Sequence, residues 1–434
     1  MSLTPETDLL LTCTRHFAGT CGDADVIERA RRIQDWPAVM DLARTHCMEP
    51  LMGWQLKSLC PDVVDGDFSA HLDQVLRFYT ARHLMLSANL IKVLGILEGE
   101  GIQAVALKGP VLAAMLCDDI PWRDSCDLDL LVRRGDITRA KDVLIAAGYR
   151  LDTQLPPGEE KAAFHWRSQL VLVHDGINPA VDLHWQLLPS LFPAARYLES
   201  VWERVEPAMF QGRKVITLSP EDQLMFLCGH AARHSWQSLR LAADLGRLIH
   251  LHDGRSGRPG APLRALDWER VIAAARKADG SRVLALGLWI VNRLLEVQLP
   301  QPARAYADGS IGEKRFAHGL LERMLAITPE EQERSSEFGL QLRLAPGMWP
   351  KIRCAAAFAL LPSDADGALQ LPAPLYLLYY LYRPLRLIAK YGARAVRPSR
   401  RWKHRRRRPL QAPAQWVRPR GTAPPRRRCP RTQE

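Results

Sequence analysis

Between Val105 and Val132 the chain reads VALKGP (105–110), then a short apolar run, Val111–Cys117, and then RDSCDLDLLV (123–132). At the centre of the second motif, Asp127-Leu128-Asp129 is followed by Leu130, Leu131 and Val132. A run this short and apolar predicts a mostly buried β-strand. On a strand, residues two apart share a face at roughly 6–7 Å along the backbone, whereas on a helix they would diverge by about 200°. Two carboxylates held on one face of a buried strand repel each other, and burying them unpaired is costly. A divalent cation relieves that cost. Hard Mg²⁺ prefers carboxylate oxygens, with water and phosphate oxygens completing its shell.

The residues upstream supply a place for phosphate. Ile102–Leu107 reads as a strand, Lys108-Gly109-Pro110 as a turn, and Val111–Cys117 as a helix. Glycine permits the sharp turn and proline suits a first helical turn. The N–H groups at such a helix start face an anion. Strand, turn, helix and acid-bearing strand therefore bring an anion cradle beside a candidate metal site.

Further along, Asp136–Ala147 predicts a helix closed by Gly148, and Tyr149–Leu151 a strand. Ser168–His174 and Ala180–Trp185 predict two more strands joined by the turn residues 175–179. The second of these sets Asp182 and His184 on one face and Val181 and Leu183 on the other. By spacing alone, Asp182 is equally a third metal ligand or a polar residue on an exposed strand face. Pro156–Glu160 reads as a loop, and His165 and Arg167 are further polar candidates that the sequence does not place.

Taken in order, Leu107-Lys108-Gly109, Arg123, Asp127-Leu128-Asp129-Leu130-Leu131-Val132, Gly148-Tyr149 and Val181-Asp182-Leu183-His184-Trp185 resemble a known pattern. They are similar to the DNA polymerase β-type nucleotidyltransferase superfamily and, more narrowly, to the bacterial uncharacterised nucleotidyltransferases. The turn departs from the wider superfamily, which usually has Gly-Ser or Gly-Gly where this chain has Gly109-Pro110. The resemblance implies an α+β fold with a small mixed-sheet core. It implies an NTP donor, an acceptor hydroxyl, and Mg²⁺, two ions, held by Asp127, Asp129 and Asp182 as the catalytic acids. It places Lys108, Gly109, Arg123 and His184 on the nucleotide side. Arg123 would add charge near the leaving phosphates or anchor its loop through Asp124; His184 would orient Asp182 or touch phosphate. A protein that keeps the fold and binds nucleotide or nucleic acid without turnover is the alternative.

Outside the core, helical periodicity predominates. The expected division is a helical region over 1–75, a nucleotidyltransferase core over 76–195, a second helical region over 196–395 and a basic, disordered tail over 396–434. A helix over His71–Leu97 should bury Leu86, Leu90, Val93 and Leu97. Helices are also expected over Glu221–His234, Leu239–His252, Trp268–Lys277, Arg282–Val297 and Glu313–Ile327. His230 and His234 sit four apart on one helix but lack the glutamate of a zinc H-E-x-x-H motif. Asp244 is expected to pair with Arg240 or Arg247 on its own helix.

The net charge of +12 is uneven: from Arg383 onward there are 18 Lys/Arg against Glu434 alone, leaving 41 Lys/Arg against 46 acids before it. The nine cysteines form no C-x-x-C pair, and no apolar run is long enough to span a bilayer. This pattern predicts reduced thiols and a cytoplasmic protein. The tyrosines at 376, 379, 380 and 382 before the arginine-rich tail suit either an anionic membrane surface or, equally, a terminal helix docked on the core; nucleic acid is a weaker partner for the same arginines.

Overall fold

The computed structural model describes residues 3–117, 122–152, 168–174, 177–189, 192, 200–253, 264–277, 279–312, 314–327, 337–345, 347–360, 378 and 381–388. Pro156–Glu160, His165, Arg167, the Asp175-Gly176 turn, Tyr376, Tyr379, Tyr380 and the basic tail lie outside the described residues. Packing separates Met1–Arg386 from Leu387–Glu434, and all that follows concerns the first of these units.

Four helices come first: α1 (Pro5–Phe17), α2 (Asp23–Ala30), α3 (Trp36–Thr45) and α4 (Glu49–Leu59). Thr4 caps α1 and Asp35 caps α3, each accepting a backbone N–H three residues on, and each helix has proline in its first turn. The long helix α5 (Gly66–Gly99), capped by Asp65, leads into the sheet region. There β1 (Ala104–Ala106), α6 (Gly109–Leu116), β2 (Leu128–Val132), α7 (Ile137–Ala146), β3 (Arg150–Leu151), β4 (Gln169–His174) and β5 (Ile177–His184) follow in order.

Two further strands, β6 (Glu206–Phe210) and β7 (Arg213–Thr217), complete a seven-stranded sheet of order β3-β4-β5-β2-β1-β7-β6. The β2/β5 and β1/β7 pairings are parallel and the remainder antiparallel. The mixed sheet with flanking helices is the expected α+β class. The last hairpin was not expected, because 206–217 lies in the part read as helical. Its turn, Gln211-Gly212, has positive φ at both residues, the geometry a two-residue hairpin needs.

Helices α8 (Pro220–Arg233), α9 (Leu239–Leu251), α10 (Trp268–Lys277), α11 (Ser281–Leu294), α12 (Gln301–Ser310), α13 (Lys314–Ala326), α14 (Glu337–Leu344) and α15 (Met348–Leu360) follow. Among the described residues, no helix is long and apolar enough to cross a membrane.

Alternation along the central strands sorts the core into two layers. Leu128, Leu130 and Val132 of β2 and Val181 and Leu183 of β5 pack with Leu86, Leu90, Val93 and Leu97 of α5 and Leu144 of α7. Val105 and Leu131 face the other way, into one core that joins α1–α4 to α8, α9 and α11. The helices before the sheet and those after it therefore share a single hydrophobic interior on one sheet face. By the same alternation Asp129 of β2 belongs to that helical side, with Leu131. Asp129 thus lies between sheet and helices.

Candidate active site

The turn between β1 and α6 is shaped by Gly109. Its φ is +63°, and a Cβ added there would lie 3.0 Å from the carbonyl oxygen of Asp127. Only glycine combines that backbone with so close an approach. Lys108 occupies the N-cap position of α6, and Leu107 N–H donates to the Asp129 carbonyl at 3.0 Å. The turn and the acid-bearing segment are thus tied backbone to backbone.

Asp127 stands one residue ahead of β2 and Asp129 is its second residue. In the parallel β2/β5 pairing, Asp129 lies directly beside Asp182. One ligand atom each from Asp129, Asp182 and His184 falls within a mutual distance of 4.8 Å. Lys108 Nζ is 2.9 Å and His184 Nε2 3.1 Å from Asp129 Oδ1. Gln169 of β4 donates through Nε2 to Asp182 Oδ2 at 2.7 Å. The sheet therefore gathers Lys108, Asp129, Asp182 and His184, with Asp127 and Gly109 lining the same cleft of about 290 Å³.

The charges in this group pull in different directions. Burial works to raise the Asp129 carboxyl, but the Lys108 ammonium and the His184 hydrogen bond prevail and hold it below the usual carboxylate range. Asp127 goes the other way, pushed up by burial and then by the Asp129 charge. Asp182 is raised to about 6, first by burial and then by Asp129 and Asp127.

This repulsion makes a prediction about stability. The ionised form of Asp182 is disfavoured in the folded chain, so its cost is fully present above about pH 6 and fades as pH falls toward its ordinary value of 3.8. In metal-free buffer near neutral pH, Asp182→Asn should raise the unfolding free energy by about 1–2 kcal/mol. The gain should vanish by about pH 4, where both states are protonated. Urea unfolding at both pH values checks this, and a variant less stable than wild type near neutrality contradicts it.

The residues fit a hard divalent cation. Among the described residues, Asp129 Oδ2 is buried with no hydrogen-bond partner, and three carboxylates converge on a cleft where Lys108 and His184 both engage Asp129 alone. Oxygen-rich donors of this kind suit Mg²⁺, with His184 better used as a hydrogen-bond donor to Asp129 than as a ligand.

Arg123 is placed differently from its neighbours. It lines the cleft, but its guanidinium is bound by Asp244 of α9, with Nε and Nη2 each 2.9 Å from a carboxylate oxygen and Nη1 2.9 Å from Ser125 Oγ. It anchors its loop through Asp244; Asp124 lies instead 3.8 Å from Arg82. The expectation that Asp244 pairs with Arg240 or Arg247 therefore fails. Arg240 reaches the Asp124 carbonyl and Arg247 the Leu116 carbonyl.

Across from the acids, α8 and α9 supply the other wall. The His230 and His234 rings meet edge to face, with centroids 4.5 Å apart, and both line the cleft, as do Arg233 and Arg240. Among the described residues neither histidine joins a metal-ligand group. Burial lowers both imidazoles, His234 to about 4, with the Lys108, Arg233 and Arg240 charges adding to the effect. Sequence reasoning missed Gln169, Arg233 and Arg240. The alternation that placed Asp182 could have found Gln169, since it sits on the neighbouring strand; nothing local marks the two arginines.

Comparison with known proteins adds a family. No curated protein matches the chain. A solved nucleotidyltransferase-like antigenic protein from Paracoccidioides brasiliensis is similar at 15% identity, over 51% of this chain and 94% of its own, with a TM-score of 0.29. A protein-family model described as "Uncharacterised nucleotidyltransferase" matches residues 33–296, which include every site residue above and more than half of the chain. With Lys108-Gly109, Asp127 and Asp129 at the start of β2, and Asp182 of β5 all inside that match, the chain belongs to the uncharacterised nucleotidyltransferase family.

Proposed function

We propose that the protein is a Mg²⁺-dependent nucleotidyltransferase that moves a nucleoside monophosphate from an NTP to a hydroxyl group on an acceptor. The observation that carries this reading is the side-by-side register of Asp129 and Asp182, with Asp127 just ahead, at the mouth of a glycine turn that opens a helix. Carboxylates so close are destabilising on their own and become useful when they share a cation.

In this reading Asp127, Asp129 and Asp182 hold the metal, two ions when the site is full. Bound there, Mg²⁺ supplies Lewis acidity to the phosphates and lowers the cost of ionising the acceptor hydroxyl. The remaining work belongs to the chain. Asp182, beside Asp129 at the edge of the cleft, is the carboxylate placed to take the proton of the acceptor hydroxyl, and Gln169 fixes its orientation. His184 donates to Asp129 and holds that carboxylate in place. Lys108 lends positive charge to the pyrophosphate as it leaves, next to the N–H groups that open α6. Arg123 positions the loop that carries Asp127.

The test is label transfer from α-phosphate-labelled NTPs, one base at a time, to cellular extract fractions, with Mg²⁺ and with chelator. A labelled acceptor that forms only with Mg²⁺ is expected. Binding of NTP with no transfer to any fraction would favour the non-catalytic alternative.

A further inference from the structure

The wall of the cleft opposite the acids carries two arginines that no part of the proposed chemistry uses. Arg233 ends α8 and Arg240 is the second residue of α9. Among the described residues, no ion pair or hydrogen bond holds Arg233. The Nε of Arg240 is buried without a partner, and its Nη1 makes one long contact, 3.4 Å, to the Asp124 carbonyl. An arginine with an unmatched buried donor is an incomplete recognition element. Arg240 also sits in the first turn of its helix, where a side-chain cation works against the helix dipole and an anion would be welcome.

The connection between the two helices is built to hold these side chains in place. Ser235 and Trp236 have φ of +53° and +54°, conformations that residues with side chains seldom adopt. Trp236 is fully buried, Ser238 Oγ donates to the His46 carbonyl, and Leu239 N–H donates to His46 Nδ1. Just past its tight bend the turn is therefore pinned to His46, at the end of α3. Arg233 and Arg240, one on each side of that bend, line the same cleft as the acids. The lowered basicity of His230 and His234 agrees with this placement, since it reflects burial and then the charges of Lys108, Arg233 and Arg240.

We propose that Arg233 and Arg240 bind the polyphosphate end of the nucleotide. The inference rests on the nucleotidyltransferase reading and names the residues that take the charge left over after the metal. The charge of two divalent ions is shared with the three carboxylates that hold them, so the triphosphate keeps unmatched charge, and Lys108 is already 2.9 Å from Asp129. Guanidinium groups match phosphate oxygens two at a time, which an ammonium cannot do. Both arginines line the cleft that holds the acids, and not a surface track of the kind an extended polymeric acceptor would follow.

Inorganic tripolyphosphate, titrated calorimetrically into the full chain with Mg²⁺, isolates this contact from base, acceptor and turnover. Arg233→Gln and Arg240→Gln should each weaken binding by about tenfold or more, in line with loss of a charged hydrogen bond. The double variant should lose most of the binding. Arg→Lys at either position should fall between, because charge is kept and the fork is lost; these variants decide the matter if the Gln proteins melt early. Tripolyphosphate that does not bind wild type, or binds the Gln and Lys variants as tightly, overturns the proposal. Arginine-dependent binding without nucleotidyl transfer would leave it standing and sink the enzymatic reading. Transfer with arginine-independent binding would do the reverse and move both residues to the acceptor side.

Discussion

Replacing Asp129 by Asn is expected to lower Mg²⁺-dependent nucleotidyl transfer by about 10²–10³-fold or more, the scale seen when one preorganised charge-stabilising group is removed. Asp129 is the best-placed of the three acids for this role. It is buried, flanked by Asp182, hydrogen-bonded by His184, and held in its charged form by Lys108. Its free oxygen has no other use within the described residues. The same change should leave Lys108 without its carboxylate, so a modest drop in melting temperature is expected. Asp182→Asn should do the opposite near neutral pH, since there the lost charge was disfavoured by burial and by the neighbouring aspartates. Two neighbouring Asp→Asn changes of equal chemistry thus carry opposite signs in stability. Mg²⁺ should raise the melting temperature of wild type and not of Asp129→Asn. If Asp129→Asn keeps near wild-type transfer, the assignment of the metal acids is wrong.

The second large effect is on folding. Arg123→Met should destabilise the protein by about 3–5 kcal/mol, because it leaves the Asp244 carboxylate buried and uncompensated. Both side chains are almost completely inaccessible, 4% and 3% exposed, and share two 2.9 Å hydrogen bonds. Asp244→Leu alone should cost a similar amount by stranding the guanidinium. The double replacement should recover much of the loss, since an apolar pair avoids the desolvation of both ions. Urea denaturation of the four proteins measures the cycle. Single variants that lose under about 1 kcal/mol would show the pair to be unimportant to folding.

These two residues also show where reading the sequence succeeds and stops. The alternation of Leu128, Leu130 and Val132 around Asp129, and of Val181 and Leu183 around Asp182, assigns faces without a structure, since strand period is local information. The glycine turn and the stripe Leu86-Leu90-Val93-Leu97 are local in the same sense, and all four apolar residues are buried as expected. The register that seats Asp129 beside Asp182 is not local: it joins strands in parallel across some fifty residues, and only the family resemblance suggested it. Arg123 and Asp244 are separated by 121 residues, and helix spacing pointed Asp244 at Arg240 instead. Spacing rules describe exposed helix faces, and Asp244 is not on one. The β6/β7 hairpin escaped because Glu206, Arg213 and Lys214 give it a polar, edge-like texture within a helical stretch.

The shared interior of the first and last helices has a consequence for how the chain is made. Arg15 Nε donates to the Leu294 carbonyl and Thr20 Oγ1 to the Leu295 carbonyl, contacts that close loops of 279 and 275 residues. During synthesis the apolar faces of α1 and α3 leave the ribosome long before α9 and α11 exist to cover them. At translation rates of about 5–20 residues per second, those faces wait on the order of 10–60 s. Such a nascent chain is a natural client for chaperones that shield apolar helices. Slowed elongation through the region encoding α8–α11 should lower its soluble yield more than the same delay placed after α12.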